Sequence, residues 1–448
     1  MRRKQAVSAL WFGLVLGLGA AAGLSGCDQP SHENVDKWMR TKKGPEKLRE
    51  TLSEASDPDV AAHAAANLLR KQLDTDVRTL LEKLPPAKRT AVIEKLVPRL
   101  WDMARIEGEL TVPGGEQTMA KDLLFNVRGM VSGAEKARID GYLLDWYTSG
   151  FYDARALPGR HPGSEVIRAI GAPAGERMIP IADSILAKSL VGAERLKVSD
   201  ELLLAIAAAG SPATVKYLLD LSTVNRGDKT VGKRAISALY RAYVDAGGRF
   251  PVAEPSALVP HVRALVGYAK SDYEGRVVND AVALVKATGN PTCVDPLVAV
   301  TAYPHEQLLY RYIGASAALQ CGGSAAIAPV VAALPEGASH SHQQLGGAVW
   351  MVIAKLEPRE EVLAALRELA KGEGKLGRWI AIEAMAAMKS SADLPLLKSM
   401  VADRRKLAGY WGDQSDVPAK DRKAEPTVGA RATELAAELE SGKSGGPP

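Results

Sequence analysis

The chain is poor in the residues from which most catalytic and metal sites are built. Among 448 residues there are only 3 Cys, 7 His and 4 Phe, and aromatic residues make up 5%. Three cysteines spread over Cys27, Cys293 and Cys321 exclude a disulfide-dense miniature scaffold and a zinc ribbon. The sequence has no sustained alternation of apolar and polar residues bounded by hairpin turns, which excludes a sheet architecture. It also lacks a charge excess of one sign, with 57 Lys and Arg against 52 Asp and Glu, so no nucleic-acid partner is implied. No HExxH pattern occurs, and no GxSxG elbow lies between a strand and a helix.

What the chain does have is alanine, glycine and a hydrophobic beginning. Met1-Arg2-Arg3-Lys4 opens it, and Ala6 to Gly26 follows without a single charge. A basic start, an apolar run and small residues at its end form the pattern of an export signal. About 20 apolar residues also suffice to span a bilayer, so an uncleaved anchor is the competing reading. Against it, the run ends in Gly, Ala and Ser, and no basic stop-transfer cluster follows.

Leu24-Ser25-Gly26-Cys27 resembles the lipobox of bacterial lipoproteins. The resemblance implies cleavage between Gly26 and Cys27, attachment of a diacylglyceryl group to the Cys27 sulfur, and acylation of the new amino terminus. Two or three acyl chains hold a membrane far more firmly than one. Residues 1–26 would then be the signal peptide and 27–44 the lipidated tether. Such a chain would be anchored in the cell membrane or outer membrane and face the periplasm. Asp28 resembles the inner-membrane retention signal of enteric bacteria. Removing Arg2, Arg3 and Lys4 with the signal takes three from the formal +5 and leaves +2 on about 420 residues.

That length calls for several domains or a repeat array. Stretches such as ELLLAIAAAGSPATVKYLLDLS and WMVIAKLEPREEVLAALRELA read as helix, tight turn, helix. Turn marks recur at Gly171, Gly210, Gly247, Gly289, Gly322, Pro358 and Ser390, spaced by 39, 37, 42, 33, 36 and 32 residues. A period in this range marks a helical repeat array. Gly suits the left-handed C-cap of the first helix, and a following Pro suits the first turn of the next. Pro173, Pro212, Pro291 and Pro358 stand in or beside such positions.

In this period and these small-residue turns the chain resembles HEAT-repeat proteins. The resemblance implies an all-α fold, a right-handed α-solenoid of stacked antiparallel helix pairs of the HEAT/armadillo kind, over residues 45–400. Residues 107–163 depart from the period. Trp38 and Leu48 are expected to seal the amino-terminal end of the stack, because a terminal repeat has one unpaired face. Residues 401–448 read as a polar loop, a short helix at TVGARATELAAELE and a disordered tail.

The candidate sites are few. In GEGKLG, at residues 372–377, Leu376 follows the lysine where a phosphate loop needs Ser or Thr, and helices flank it. The tail GKS at 442–444 has neither strand nor helix. His340 and His342 have no third ligand nearby. His32-Glu33 and His305-Glu306 resemble the His-Glu pairs of HEAT-like di-iron hydroxylases, which need four pairs where this chain has one in the array and one in the tether. His63, His161 and His261 are scattered. No metal, no cofactor and no catalytic set is therefore expected, and the sequence sets no oligomeric state.

Cys293 and Cys321 lie near successive turns and form either a disulfide or two buried thiols. Closing that loop would contribute about 3 kcal/mol. Trp146, Tyr147, Phe151 and Tyr152 cluster beside Arg155, and Tyr410 with Trp411 forms a second aromatic pair. Tyr, Trp and Arg are enriched at binding hot spots, so both clusters are candidate protein-binding residues. The alternative is that they fold back and fill gaps between repeats. Three functions are open: a tethered scaffold for an envelope protein or peptide, a lyase-like enzyme or ligand binder using a concave groove, and a structural subunit of an envelope machine for secretion, motility or assembly.

Overall fold

The computed structural model of the chain describes residues 29–108, 112–150, 152–191, 198–223, 230–245, 275–289, 291–303, 308–335, 340–407, 409–411 and 414–442. Among the described residues the fold is all-α, with no strand and one isolated antiparallel bridge between Lys406 and Thr427. The chain divides into two compact units, residues 1–178 and 179–448. The single array expected over 45–400 is thus crossed by a boundary. It falls inside the helix Ala172–Val191, one residue before Pro180, which lacks the N–H of a helical hydrogen bond.

In the first unit the helices are α1 (His32–Trp38), α2 (Gly44–Glu54), α3 (Pro58–Arg70), α4 (Asp74–Lys83), α5 (Pro86–Ala104), α6 (Gly115–Arg128), α7 (Gly133–Thr148), α8 (Tyr152–Ala156) and α9 (Gly163–Ile170). The helix α10 (Ala172–Val191) follows. Second neighbours touch throughout: α1 with α3, α3 with α5, α5 with α7, α7 with α9, and on another row α2 with α4 and α4 with α6. Residues 107–163 are mostly helical, with α6, α7 and α8 inside them.

Helix α3 shows why small residues serve this packing. Asp57 caps it by accepting the Asp59 N–H at 2.9 Å, and Pro58 opens its first turn. Ala61, Ala62, Ala64, Ala65 and Ala66 are all buried, so α2 and α5 can approach closely. The helix ends in a Schellman turn with Gln72 at φ 62°: the Gln72 N–H donates to Leu69 O at 2.7 Å and the Leu73 N–H to Leu68 O at 3.0 Å.

The second unit holds α11 (Asp200–Ala208), α12 (Pro212–Thr223), α13 (Val231–Tyr240), α14 (Gly275–Ala287), α15 (Val294–Ala302), α16 (Leu308–Gly322), α17 (Ile327–Ala333), α18 (His340–Ile353), α19 (Arg359–Lys371), α20 (Lys375–Ala387), α21 (Leu394–Ser399) and α22 (Val428–Ser441). One row of contacts runs α11, α13, α14, α16, α18, α20, α22, and another runs α15, α17, α19. Gly346 of α18 meets Trp379 of α20 so closely that a Cβ would lie 2.7 Å from the indole.

The expected turn glycines Gly171, Gly210 and Gly289 all have positive φ. At Gly322 the left-handed residue is instead its neighbour Gly323, at φ 59°. Gly247 lies outside the described residues. The stretch Leu308–Ala333 is long and apolar enough to cross a membrane by length and composition. Half of its most apolar window is buried in the fold, where α16 and α17 pack on α15 and on each other.

Candidate functional site

An open groove of about 680 Å³ lies in the first unit between α3, α5 and the start of α6. Arg70, Arg99 and Arg105 line it beside His63, Asp102 and Glu116. The chain enters α6 through Gly114 and Gly115. The Gln117 side chain folds back and accepts the Gly114 N–H at 2.6 Å, which fixes the rim. The groove's charges are partly paired within its walls. Arg99 donates to Asp59 at 3.0 Å and holds that carboxyl below its ordinary range, and Arg70 faces Glu116 at 3.7 Å. Such a surface of mixed sign suits recognition of a polar partner.

His63 sits at the groove wall and joins a chain of four side chains. Its Nδ1 is 2.9 Å from Nδ1 of His32, with ring centroids 5.2 Å apart. His63 Nε2 faces Asp36 at 3.0 Å, and His32 Nε2 faces Asp59 at 3.3 Å. Burial pushes His63 below the ordinary imidazole range; Asp36 opposes this, while Arg99, His32 and Arg70 add to it. Sequence reasoning treated His63 as isolated and His32 as part of the tether. One signal was there: His32 and His63 are 31 residues apart, as are Asp36 and Asn67, which also meet, at 3.4 Å. That shared offset registers α1 on α3. Among the described residues no group of three or more His, Cys, Asp or Glu is placed to hold a metal ion.

A second feature escaped the sequence reading. Lys121 is fully buried and Asp122 is 5% exposed, with Nζ 2.6 Å from Asp122 Oδ1. Lys121 also donates to His161 O at 2.8 Å, and Asp122 Oδ2 accepts the Arg160 N–H at 2.7 Å. The pair thereby fastens the connection 157–162 onto α6. Gly159 is required there, because φ is 104° and a Cβ would stand 2.7 Å from Asp122. Burial pushes the Lys121 ammonium below its ordinary range despite Asp122.

The predicted aromatic sites need correction. Trp146, Tyr147, Tyr152 and Arg155 are all buried, at 2% exposure or less, so no partner can touch them. Arg155 explains the cluster. Its guanidinium donates to Trp146 O at 3.1 Å, Ser149 Oγ at 2.6 Å and Gly108 O at 3.2 Å, closing the C-terminal end of α7. Trp146 Nε1 returns a bond to Arg155 O at 3.3 Å. These residues fill and cap the fold, as the alternative reading has it. Phe151 lies outside the described residues.

The carboxy-terminal pair is divided. Tyr410 is buried, which corrects its assignment to a binding surface, whereas Trp411 is 40% exposed with Lys423 Nζ 4.5 Å above its ring. Trp411 Nε1 donates to Ala424 O at 3.0 Å, so the polar excursion 401–427 is tied back on itself. Cys293, at the start of α15, is joined to Cys321, in the last turn of α16, with Cα atoms 6.5 Å apart. Gly26, Cys27, His261 and His305 lie outside the described residues. No protein-family model matches the chain, and no curated protein matches it.

Proposed function

We propose that this chain is a lipid-anchored, HEAT-like α-solenoid that binds a protein or peptide in the bacterial cell envelope as a scaffold. The observation that carries the reading is the succession of second-neighbour helix contacts in each unit, from α1 to α9 and from α11 to α22. Among the described residues the main helix contacts are between helices close in sequence, as in repeat arrays that build extended surfaces. The LSGC stretch behind an uncharged run supplies the tether through Cys27. In the first unit the mixed-charge groove is the partner-facing surface.

A photo-crosslinking residue placed at Arg105, on the groove rim, tests this in cells of the native host. One dominant protein adduct, lost when the crosslinker is moved to a buried position such as Leu96 and reduced in Cys27→Ser, is the expected result. A second reading, a binder of a small polar ligand, is favoured by the convergence of His63, Arg70, Arg99 and Glu116. Absence of any protein adduct, with the chain still in the membrane fraction, would favour that reading over the scaffold.

A further inference from the structure

The two imidazoles of His32 and His63 meet nitrogen to nitrogen, and that contact fixes how many protons they can share. At 2.9 Å one Nδ1 must carry the hydrogen and the other must be bare. On the outer sides, each Nε2 faces a carboxylate oxygen and is satisfied only as an N–H. Four ring nitrogens with one bare make three protons, so the bridge is complete with a single positive charge. Two protons leave one bare nitrogen against a carboxylate. Four protons set two N–H groups head to head and two cations side by side.

The groups acting on the pair come from three helices. Asp36 is on α1, Asp59 and Arg70 are on α3, and Lys95 and Arg99 are on α5. On α2, which also packs against α1, Arg49 is engaged by Asp76 and Lys47 by Glu50. On α1 itself Glu33 and Lys37 pair with each other at 2.7 Å. The two arginines and Lys95 oppose a second proton, and the two carboxylates already have one imidazole N–H each. Beside the apolar docking of Val35 and Trp38 and the Asn67–Asp36 bond, this chain of four side chains ties α1 to α3.

We propose that the His32–His63 bridge is a proton-counting latch: it holds α1 against α3 with one shared positive charge and opens when a second proton arrives. Opening detaches a seven-residue helix that lies within the expected tether. If Cys27 is acylated, as proposed above, release would free the chain from Cys27 to Lys43, 17 residues or about 60 Å at full extension. The latch itself does not rest on that anchoring.

Hydrogen exchange of the amides of residues 32–39, in the whole chain with a chelator present and corrected for intrinsic rates, tests the latch across pH. On the acid side of the pH at which exchange is slowest, where the bridge holds one charge, corrected exchange should rise about tenfold, the equivalent of a one-unit difference in proton affinity between the closed and open states. In His63→Gln two ring N–H groups can no longer be set head to head, because His32 alone gains a proton and can direct it at an amide oxygen, so that acid-side rise should vanish. Imidazole nitrogen NMR of the unaltered chain gives an independent readout should the variant lose α1 altogether. It should show two coupled macroscopic steps. Corrected exchange that stays flat or keeps falling toward acid pH, or two imidazoles titrating independently, would overturn the proposal.

Discussion

An ion pair in each unit sits largely out of water, and the two are built in opposite ways. In the second unit Arg431 of α22 grips Glu383 of α20 with both arms, Nε to Oε1 at 2.7 Å and Nη2 to Oε2 at 3.1 Å. Glu434 takes a third bond at 2.8 Å, and Trp379 Nε1 donates to the same Glu383 at 2.9 Å. In the first unit Lys121 meets the carboxylate next to it in sequence through one oxygen. Neighbouring residues on a helix point away from each other, and these two converge only because the 157–162 connection lies over them. Burial acts against both cations. For Arg431 the bonds to Glu383 outweigh it, and the guanidinium is held above its ordinary range. For Lys121 burial outweighs Asp122, and the ammonium is pushed down. A fork-shaped cation on a carboxylate from another helix makes a clamp, whereas a point charge beside its own neighbour makes a fastening that can give up its proton.

The largest effect should come from breaking the clamp. Glu383→Ala leaves Arg431 buried without its main partner and Trp379 without an acceptor, and should cost about 3–5 kcal/mol in urea unfolding. Arg431→Lys keeps the charge but loses the fork and should cost about 1.5–3 kcal/mol. Asp122→Asn should cost less than Glu383→Ala, about 1–3 kcal/mol, because Lys121 can shed its proton where Arg431 cannot. If Asp122→Asn proves the more damaging, the contrast between clamp and fastening fails.

The sign of the pH dependence sharpens the comparison further. Lys121 has a folded pKa below its unfolded one, so the unfolded chain binds more protons in the window between that lowered value and 10.5. The stability lost at neutral pH therefore returns as pH rises through that window. Asp122→Asn should widen the window toward neutral, and its deficit should shrink between pH 7 and about 10. Arg431 is raised, so its contribution is fully present below the unfolded arginine value and stays constant over the same range. The deficit of Glu383→Ala should then be flat over that range.

The smallest effect concerns the cover over the pair. Gly159→Ala meets both a positive φ and Asp122, and should cost about 1–3 kcal/mol. Combined with Asp122→Asn the two costs should fall short of their sum, since both undo one contact. Full additivity in the double-mutant cycle would separate the glycine from the pair.

These pairs also show what could be read from the chain and what could not. The all-helical class was legible, and so were helix ends that glycine punctuates: Gly171, Gly210 and Gly289 take the positive φ expected of turn residues. Turns closed by Gln72 and Lys389, at φ 62° and 51°, carry no such mark. Lys121 and Asp122 lie in AKDLLF and Glu383 in AIEAMAAM, where a charge reads as a solvated face. Only the packing of a distant partner, the 157–162 connection or α22, shows that these charges are buried. The aromatic cluster around Trp146 failed for the same reason: composition identifies rings and arginines but not the side to which they turn. The groove was illegible because the sequence does not show which sides of α3, α5 and α6 face one another.

Whether the chain is an acylated, tethered stack is decided most directly by mass spectrometry of its amino-terminal peptide after detergent extraction from host membranes. A peptide that begins at Cys27 and carries two or three acyl chains is the predicted result. A peptide that retains Met1 to Gly26, or an unmodified Cys27 thiol on protein recovered from the soluble fraction, would contradict it.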